Sequence, residues 1–598
     1  MRHNGEKRRD GLRGIIAAGI VTCLCLVFCN SDAIGKGSVV NSPHNLSTSG
    51  GSGKHGIKST EEDRICIFCH TPHHALTAEP LWSRELPPQA QYKPYDSSSL
   101  KAQPRPDKPT GSSRLCLSCH DGTIALGQYA GKLDTSLSQK MPSDADPTRN
   151  SNLTTDLSDD HPISFAYTDS LAQQNGELKS PVNLPAEIRI DRVLNFQCTA
   201  CHDAHDNQYG NFLVIDNSQP GSPLCTACHV KKGWATPSRS SHNDTTTMPT
   251  GCMSCHYVHN APGAVRLLKS AREEDNCYLS CHNSTSTTSS NVKSVFDSTI
   301  YKHPVEATTG VHDETETLPA TFYHVECVDC HNSHQVNSQN APLANPPAID
   351  GRLTGVNGID KNGATVAAVQ YEYEVCLKCH SGSKASQFAV SVPLPNRVIS
   401  EPDQRLSFNV NNPSFHPVLE NRRSQGASLR GTYQTDMIRI YCSDCHNSDR
   451  STKAGYSGPN GPHGSSYSHI LIARYEVDSY PLPYSAANYA LCFRCHDDTY
   501  VLSTNSGFPN HKSHVNPDSV QDPLHVGKEV PCSVCHDPHG VSSSKGATAT
   551  GNSHLINFDL RFTGSTPTPS YTTTTARHGS CTVSCHTSGS PDAKTHSY

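Results

Sequence analysis

The chain has 598 residues and a formal net charge of −6. Only 34% of its residues are apolar, tyrosine included, and it has two tryptophans. This composition excludes the four or so ordinary hydrophobic cores that the length alone suggests. Beyond the N-terminal signal described next, 52 acidic residues face 44 basic ones, which excludes nucleic acid as a partner.

The first predicted element is an export signal over residues 1–33. Basic residues, among them Arg2 and Lys7, precede an apolar run at residues 15–28 that is too short and isolated for a membrane-spanning helix. Two versions of its end stay open: cleavage after Ala33, which we favour, or lipidation at Cys29. We therefore expect an exported chain that is soluble or held by one lipid anchor.

Cysteine spacing is the strongest signal in the rest of the chain. Beyond residue 33, 24 cysteines form twelve close pairs, each followed directly by a histidine. Ten pairs are CxxCH motifs: Cys66/Cys69, Cys116/Cys119, Cys198/Cys201, Cys225/Cys228, Cys252/Cys255, Cys327/Cys330, Cys376/Cys379, Cys442/Cys445, Cys492/Cys495 and Cys532/Cys535. Two are CxxxCH motifs, Cys277/Cys281 and Cys581/Cys585. We number the twelve motifs in chain order.

CxxCH is typical of covalent haem attachment, because two thiols add to the haem vinyl groups and the next histidine ligates the iron. We predict twelve covalent c-type haems, with an isolated dithiol or disulfide as the alternative at the two CxxxCH motifs. The predicted proximal iron ligands are His70, His120, His202, His229, His256, His282, His331, His380, His446, His496, His536 and His586. Large apolar haems would replace the missing core, so we expect a mostly irregular, haem-dominated fold with a few short α-helices and little β-structure.

The residues after each motif divide the twelve motifs into six pairs. Odd-numbered motifs carry a second histidine three positions after the proximal one, except motif 9, which has Asp449 there. Even-numbered motifs lack it. We therefore predict six two-haem modules, at residues 34–134, 135–235, 236–290, 291–400, 401–505 and 506–598.

Counting histidines favours two histidine ligands on every iron. Four methionines remain beyond the signal, against 22 histidines outside the signal and the proximal set. A histidine three residues from the proximal one lies on the same side of a helical turn, so it must serve a neighbouring haem if it binds iron. The predicted distal ligands of this kind are His73, His205, His259, His334 and His539.

Other distal ligands are expected upstream in each module. His161, His303 and His416 each precede a proline, which favours an extended backbone, and the other modules offer His55, His242 and His525. In the module that contains Asp449, the distal ligand missing at that position is expected to be His463 or His469, and we choose His469. The alternative at each position is an ordinary surface or turn histidine.

The strings ICIFCHTPHHA, PLWSR, LCLSCHDGT and DHPISF resemble the doubled-CxxCH multihaem c-type cytochromes of metal-reducing bacteria. The repeated motif covers residues 44–586, and Asp449 and the CxxxCH motifs depart from the pattern. The resemblance implies stacked haems with two histidine ligands each, and electron transfer; we expect no enzymatic activity. It also implies a periplasmic, outer-membrane-associated or extracellular location. The expected partners are other redox proteins, an outer-membrane porin and extracellular metal or electrode acceptors.

Two alternatives stay open. One is an oxidoreductase in which a single haem lacks its distal ligand and reduces a small molecule such as nitrite, although no CxxCK motif occurs. The other is a subunit of an extracellular cytochrome filament.

Overall fold

The computed structural model describes residues 38–51, 53–73, 75, 81–234, 240–286, 290–306, 325–338, 346–382, 395–421, 426–434, 437–477, 484–517, 529–575, 578–584 and 594–597. The predicted export signal, His525, Cys585 and His586 lie outside these residues. In the described ranges, no helix is both long enough and apolar enough to span a bilayer.

The α-helices are short, as the sequence predicts. The described part of the chain has thirteen of them: α1 (Gly111–His120), α2 (Asp169–Asn175), α3 (Pro223–Thr226), α4 (Glu273–Tyr278), α5 (Lys293–Ser298), α6 (Cys327–Cys330), α7 (Glu372–His380), α8 (Gln404–Ser407), α9 (Ala490–Phe493), α10 (Asp498–Val501), α11 (His511–Val515), α12 (Cys532–Cys535) and α13 (Leu560–Thr563). The longest, α1 and α7, have 10 and 9 residues, and each ends on the histidine of an even-numbered motif. Motifs 1, 3, 5 and 9 begin instead on a single 3₁₀ turn.

The β-structure is equally limited. The described strands are β1 (Gln128–Tyr129), β2 (Lys132–Leu133), β3 (Phe165–Ala166), β4 (Asn195–Phe196), β5 (Tyr301–Lys302), β6 (Gly358–Ile359), β7 (Thr365–Val366), β8 (Ser414–Phe415), β9 (Gly464–Ser465), β10 (Gly540–Val541), β11 (Ser570–Thr575), β12 (His578–Val583) and β13 (Lys594–Ser597). They pair antiparallel as β1–β2, β3–β4, β5–β9, β6–β7, β8–β10 and β11–β12–β13. The fold class is therefore the mostly irregular one predicted.

Two of these ladders join segments that are far apart in sequence and lie next to histidines. In β5–β9, Tyr301 pairs with Ser465, which places His303 and His463 at adjoining strand ends. In β8–β10, Phe415 pairs with Gly540, which does the same for His416 and His539. The short strands thus bring together histidines that are more than a hundred residues apart.

The described chain divides into two compact units. One contains the described residues up to Lys231 together with Pro249–Lys269, and the other contains Lys232–Met248 together with the described residues from Ser270 onward. The first unit carries motifs 1–5. The second carries motifs 6–11 and the first cysteine of motif 12. The six two-haem modules are finer than this division and stay a prediction.

Hydrophobic clusters inside the units are small. The cluster around Phe165, Tyr167 and Phe196 in the first unit has nine buried members, and the one around Tyr373 and Phe408 in the second has five. These clusters pack against motif cysteines such as Cys201 and Cys442. The apolar interior is therefore built around the attachment motifs.

A buried arginine fixes the fold between motifs 1 and 2. Arg84 is 1% exposed, and its guanidinium donates to the carbonyls of Leu126 (2.7 Å), Ala125 (2.8 Å) and Ser118 (3.4 Å). These carbonyls belong to α1 and the segment after it. One side chain therefore ties the residues that follow motif 1 to the residues that form and follow motif 2.

Replacing Arg84 with alanine should lower the free energy of unfolding of the holoprotein by about 3 kcal/mol, because buried carbonyls lose their donors. Arg84→Lys keeps the charge but lacks the forked donor geometry, so an intermediate loss is expected. Guanidinium unfolding followed by circular dichroism measures both. Unchanged midpoints in both variants would show that the three hydrogen bonds do not stabilise the fold.

Candidate haem-binding sites

Most described proximal histidines face a second histidine ring at a nearly constant separation. Nine such pairs have ring centres 6.0 to 6.4 Å apart. They are His44 and His120, His70 and His205, His161 and His229, His202 and His259, His242 and His282, His331 and His463, His416 and His496, His446 and His539, and His511 and His536. Each pair contains one motif histidine and one histidine from elsewhere.

This separation fits an iron atom between the two rings. Bonds from an imidazole nitrogen to a metal are about 2 Å long, and the ring centre lies roughly 1 Å further, so rings on opposite sides of one iron have centres about 6 Å apart. The motif cysteines adjoin the proximal ring in the chain. The residues present therefore fit covalent haem c, which the CxxCH motifs indicate.

Seven of the nine pairs follow two rules, one within a predicted module and one between successive modules, and the pairs formed by His463 and His511 depart from them. A histidine upstream of a module's first motif faces the proximal histidine of its second motif, as His161 faces His229. The second histidine of an odd-numbered motif faces the proximal histidine of the preceding odd-numbered motif, as His205 faces His70. Of the predicted distal residues, the structure brings His161, His205, His242, His259, His416 and His539 opposite a proximal histidine.

The second histidine of an odd motif is positioned by a turn, not by the helix turn assumed from the sequence. In motif 3, the His205 backbone N–H donates to Asp203 Oδ1 (3.0 Å), and in motif 11, the His539 N–H donates to Asp537 Oδ1 (3.2 Å). Such Asx turns reverse the chain directly after the proximal histidine. The inference that this residue serves a neighbouring site agrees with the pairing of His205 with His70.

In the first and last modules, the histidine that faces a proximal ring is not the upstream histidine predicted from the sequence, His55 or His525. In the first module, His55 is exposed, and His44 faces His120 instead. His44 is half-buried and stacks on Phe212, with ring centres 4.0 Å apart. In the last module, His511 at the start of α11 faces His536.

In the module that contains Asp449, the structure favours His463 over His469. His463 faces His331 with ring centres 6.2 Å apart. His469 uses its backbone carbonyl to accept from Nδ1 of the proximal His446 (2.8 Å). The loop before His463 is held at motif 9 because the Gly461 N–H donates to Asn447 Oδ1 (2.8 Å), so His463 is brought to the place that a motif 9 histidine would serve.

Three further predicted ligands are placed as follows. The pKa of His380 is lowered to about 4, chiefly by burial and next by the charge of His303. His303 has a larger effect on this pKa than any other histidine. His334 packs on Trp234, with ring centres 6.0 Å apart. His73 is exposed, and its carbonyl accepts from the Thr71 hydroxyl (2.7 Å).

Burial lowers the pKa of several of the paired rings and so favours their neutral form. Desolvation lowers the pKa of His44 and His161 to about 4, and that of His229 and His463 to about 3. Only an imidazole nitrogen without its proton binds a metal. His259 is an exception: burial is the largest single effect and lowers its pKa, but the hydrogen bond and charge of Asp160, together with Cys198 and Asp159, raise the pKa by more.

The ring nitrogens that would face away from iron are hydrogen-bonded. Six proximal histidines donate from Nδ1 to a backbone carbonyl at 2.8 to 3.0 Å. The donors and acceptors are His120 and Ser151, His202 and Asn211, His256 and Arg266, His331 and Arg352, His446 and His469, and His536 and His554. Bonds of this kind fix the ring orientation and tautomer of a metal ligand.

A hook of backbone, which the sequence analysis missed, recurs after odd-numbered motifs. In motif 3, the Asp203 N–H donates to the Phe212 carbonyl (2.8 Å), and the Val214 N–H donates to the Cys201 carbonyl (3.0 Å). Motifs 1, 5, 9 and 11 form the same two bonds with Leu81 and Ser83, Leu267 and Lys269, Ile470 and Ile472, and Leu555 and Asn557. The residue that accepts the first bond has a positive φ in all five hooks, a conformation uncommon outside glycine.

The motif cysteines adjoin one another in sequence order. The first cysteine of an even motif and that of the next odd motif are close enough for one thiol to raise the pKa of the other, and the pairs are Cys116 and Cys198, Cys225 and Cys252, Cys277 and Cys327, Cys376 and Cys442, and Cys492 and Cys532. Within modules, burial and a neighbouring thiol raise the pKa of four second cysteines to about 12. The cysteine and its neighbour are Cys69 and Cys119, Cys201 and Cys228, Cys330 and Cys376, and Cys445 and Cys495. Attachment sites thus run from motif 1 to motif 5 in one unit and from motif 6 to motif 11 in the other.

The second cysteines of motifs 5 and 8 are placed by the backbone around them, and the structure does not confirm their predicted role in attachment. The Cys255 carbonyl accepts from the Lys269 N–H (3.0 Å) in the hook of motif 5. Cys379 belongs to the last turn of α7, and its effect on the raised pKa of Cys330 is small beside those of burial and Cys376. Haem attachment at Cys255 and Cys379 therefore stays a prediction from the CxxCH spacing.

The extra residue of motif 6 changes how its proximal histidine is held. In CxxCH motifs such as motif 3, the N–H of the proximal His202 donates to the carbonyl of Cys198, four residues back (3.0 Å). In motif 6, the His282 N–H donates instead to Cys277, five residues back (2.9 Å). The second cysteine, Cys281, is half-buried in this wider turn, and its attachment to haem likewise stays a prediction that the structure does not confirm.

Comparison with known proteins supports this class of site. Residues 193–233, which contain motifs 3 and 4, match the family model of the doubled CxxCH motif. A search of curated proteins finds no match. The match is consistent with a multihaem c-type cytochrome family, as the resemblance predicted, and the doubled motif indicates a protein of electron transfer.

Proposed function

We propose that the protein is a dodecahaem c-type cytochrome that passes electrons along a chain of haems, each with two histidine ligands. It is exported and carries electrons between periplasmic or outer-membrane redox partners and an extracellular acceptor, without being an enzyme. The observation that carries the proposal is the adjacency of successive attachment motifs, nine of which have opposed histidine rings. Sites that adjoin in sequence order suit transfer along a line.

The chain's own residues define what each site can do. Haem c supplies one-electron iron chemistry when it is bound. The opposed rings, such as His202 and His259 at 6.3 Å, would occupy both axial positions, and a second protein ligand favours electron transfer over substrate chemistry. The side chains therefore support a carrier more strongly than an oxidoreductase with an open haem.

Hydrogen bonds between successive modules would fix these sites relative to one another. His44 Nδ1 donates to the carbonyl of Ala204, the residue before His205 (3.3 Å). His242 Nδ1 donates in the same way to Ser333, the residue before His334 (2.8 Å).

We call this hydrogen bond, from an upstream histidine to the carbonyl just before a histidine of the next module, a clasp. It recurs at His303, which donates to Pro462, and at His416, which donates to Pro538. The residue after each of these prolines, His463 or His539, is the ring that faces the neighbouring proximal histidine. Each clasp joins an upstream histidine of one predicted module to the distal histidine supplied by the next. It therefore holds both distal rings of one module together.

Intact mass and low-temperature EPR of the purified holoprotein test the proposal. We expect twelve covalently bound haems, all of them low-spin. A count of ten would contradict attachment at the two CxxxCH motifs. A high-spin signal with ready carbon monoxide binding would favour the oxidoreductase with an open haem.

A further inference from the structure

We propose that Asp160 is a positioning residue that lowers the reduction potential of the haem attached at Cys198 and Cys201. It would act through His259, which faces the proximal His202 of that motif. The inference rests on the proposed function, because it requires His259 to be the distal iron ligand. It adds an order to the reduction potentials of the haems, since the haem at this site would have the lowest potential.

Asp160 is built into a buried contact with motif 5. The residue is 3% exposed, and its Oδ1 accepts from Nδ1 of His259 (2.9 Å) and from the Asn260 N–H (3.2 Å). Its Oδ2 is buried, without a hydrogen-bond partner among the described residues. The carboxylate therefore directs its charge at the histidine and does not share it with a cation.

Backbone hydrogen bonds hold the two segments in this position. The His161 N–H donates to the Val258 carbonyl (2.8 Å), and the Ala261 N–H donates to the Asp159 carbonyl (2.9 Å). These bonds lie on either side of the Asp160–His259 contact. Because the backbone fixes the approach, the contact is part of the fold and not a chance meeting of flexible side chains.

The acceptor at His259 is a carboxylate, whereas the acceptors at several other distal rings are uncharged. His44, His242 and His303 donate from Nδ1 to neutral backbone carbonyls. His205 has a carboxylate nearby, but Asp203 Oδ1 is 3.5 Å from its Nδ1 and the histidine side chain is 73% exposed. Solvent screens that charge, whereas it cannot screen a buried carboxylate to the same degree.

The effect on potential follows from ligand basicity. A carboxylate that accepts from the outer nitrogen of a metal-bound imidazole makes the imidazole a stronger donor. A stronger donor and a buried negative charge both stabilise ferric over ferrous iron, so the potential falls. The surroundings enhance the effect, because the crevice beside Asp160 and His259 is lined by apolar side chains including Leu157 and Ile163, where charges interact more strongly than in water.

Spectroelectrochemical titration of full-length holoprotein carrying Asp160→Asn tests the inference. The amide oxygen can still accept from His259 and Asn260, so the variant removes charge and keeps shape. The wild type should show a lowest-potential component of about one twelfth of the haem absorbance. In the variant, its reduction should become at least tenfold more favourable, a rise of about 59 mV for a one-electron couple.

Asp159→Asn is the matched control. It removes the same charge one residue away, and the Asp159 side chain makes no described hydrogen bond to His259. We expect a much smaller shift. Coincident titration curves for wild type and Asp160→Asn would overturn the inference, and so would equal shifts in the two variants.

A measurement on the wild type keeps the test decisive if Asp160→Asn does not accumulate. The near-infrared magnetic circular dichroism band of low-spin haem moves to higher energy as a histidine ligand gains imidazolate character. We expect one minor component displaced in this direction, and its absence would overturn the inference. A high-spin haem in the wild type would instead count against the proposed two-histidine ligation, so the two failures are distinguishable.

Discussion

The chain made in cells that cannot attach haem is expected to remain unfolded, with no cooperative thermal transition and rapid cleavage throughout by protease. Its described helices reach only 10 residues, a length that is marginal in water without tertiary support. Ten of its thirteen described strands have two residues, and the largest hydrophobic cluster among the described residues has nine buried members. Cofactor binding would therefore supply most of the folding free energy, as it does in small metal-dependent domains.

A control variant distinguishes unfolding of the whole chain without haem from the local effect of losing one haem. Replacing Cys225 and Cys228 with serine removes one attachment site, and we expect a holoprotein one haem lighter that unfolds at a lower temperature but still cooperatively. Differential scanning calorimetry distinguishes the cases. A cooperative transition in the haem-free chain, near that of the holoprotein, would mean that the polypeptide holds the fold by itself.

His463→Ala should convert one haem from low-spin to high-spin, whereas His469→Ala should leave every haem low-spin. The His463 ring lies opposite the proximal His331, so its removal would open one axial position. The His469 ring bonds the Ser468 hydroxyl (2.8 Å), and the contact it makes to the proximal His446 uses its backbone carbonyl. Alanine retains that carbonyl, which makes His469→Ala a matched control.

EPR and carbon monoxide difference spectra check this prediction. About one haem in twelve should become high-spin and bind carbon monoxide in His463→Ala. If His469→Ala gave that result and His463→Ala did not, the ligand assignment in the module containing Asp449 would be reversed. The other pairs would be unaffected, because each rests on its own geometry.

The sequence predicted those parts of the sites that depend on local chemistry. CxxCH spacing and the alternation of CHxxH motifs predicted the attachment residues and assigned His205 to a neighbouring site, and in the structure His205 faces His70. For His463 a usable signal existed, because Pro462 precedes it just as Pro538 precedes His539 in motif 11. Distance along the chain hid it, since the residue lies 17 positions beyond the proximal His446.

Other features depend on tertiary contacts that no local pattern encodes. His55 was chosen because it is closer to Cys66, but His44 faces His120 and stacks on Phe212, a residue far away in the sequence. The hooks require positive φ at residues such as Phe212 and Leu555, which are poor candidates for that conformation by type. Their backbone bonds to the motif override the local preference. The hooks nevertheless share one feature of sequence: each contains a pair of consecutive large apolar residues, such as Phe212 and Leu213.

The central claim is that opposed histidines, drawn from one module or from two successive modules, hold one iron each, in sequence order. An electron density map of the purified holoprotein that resolves the irons tests it most directly. It should show one iron between the two rings of each of the nine described pairs, with successive irons adjacent from motif 1 to motif 5 and from motif 6 to motif 11. An iron bound by a proximal histidine but by a different distal residue, or haems arranged out of sequence order within either unit, would contradict it.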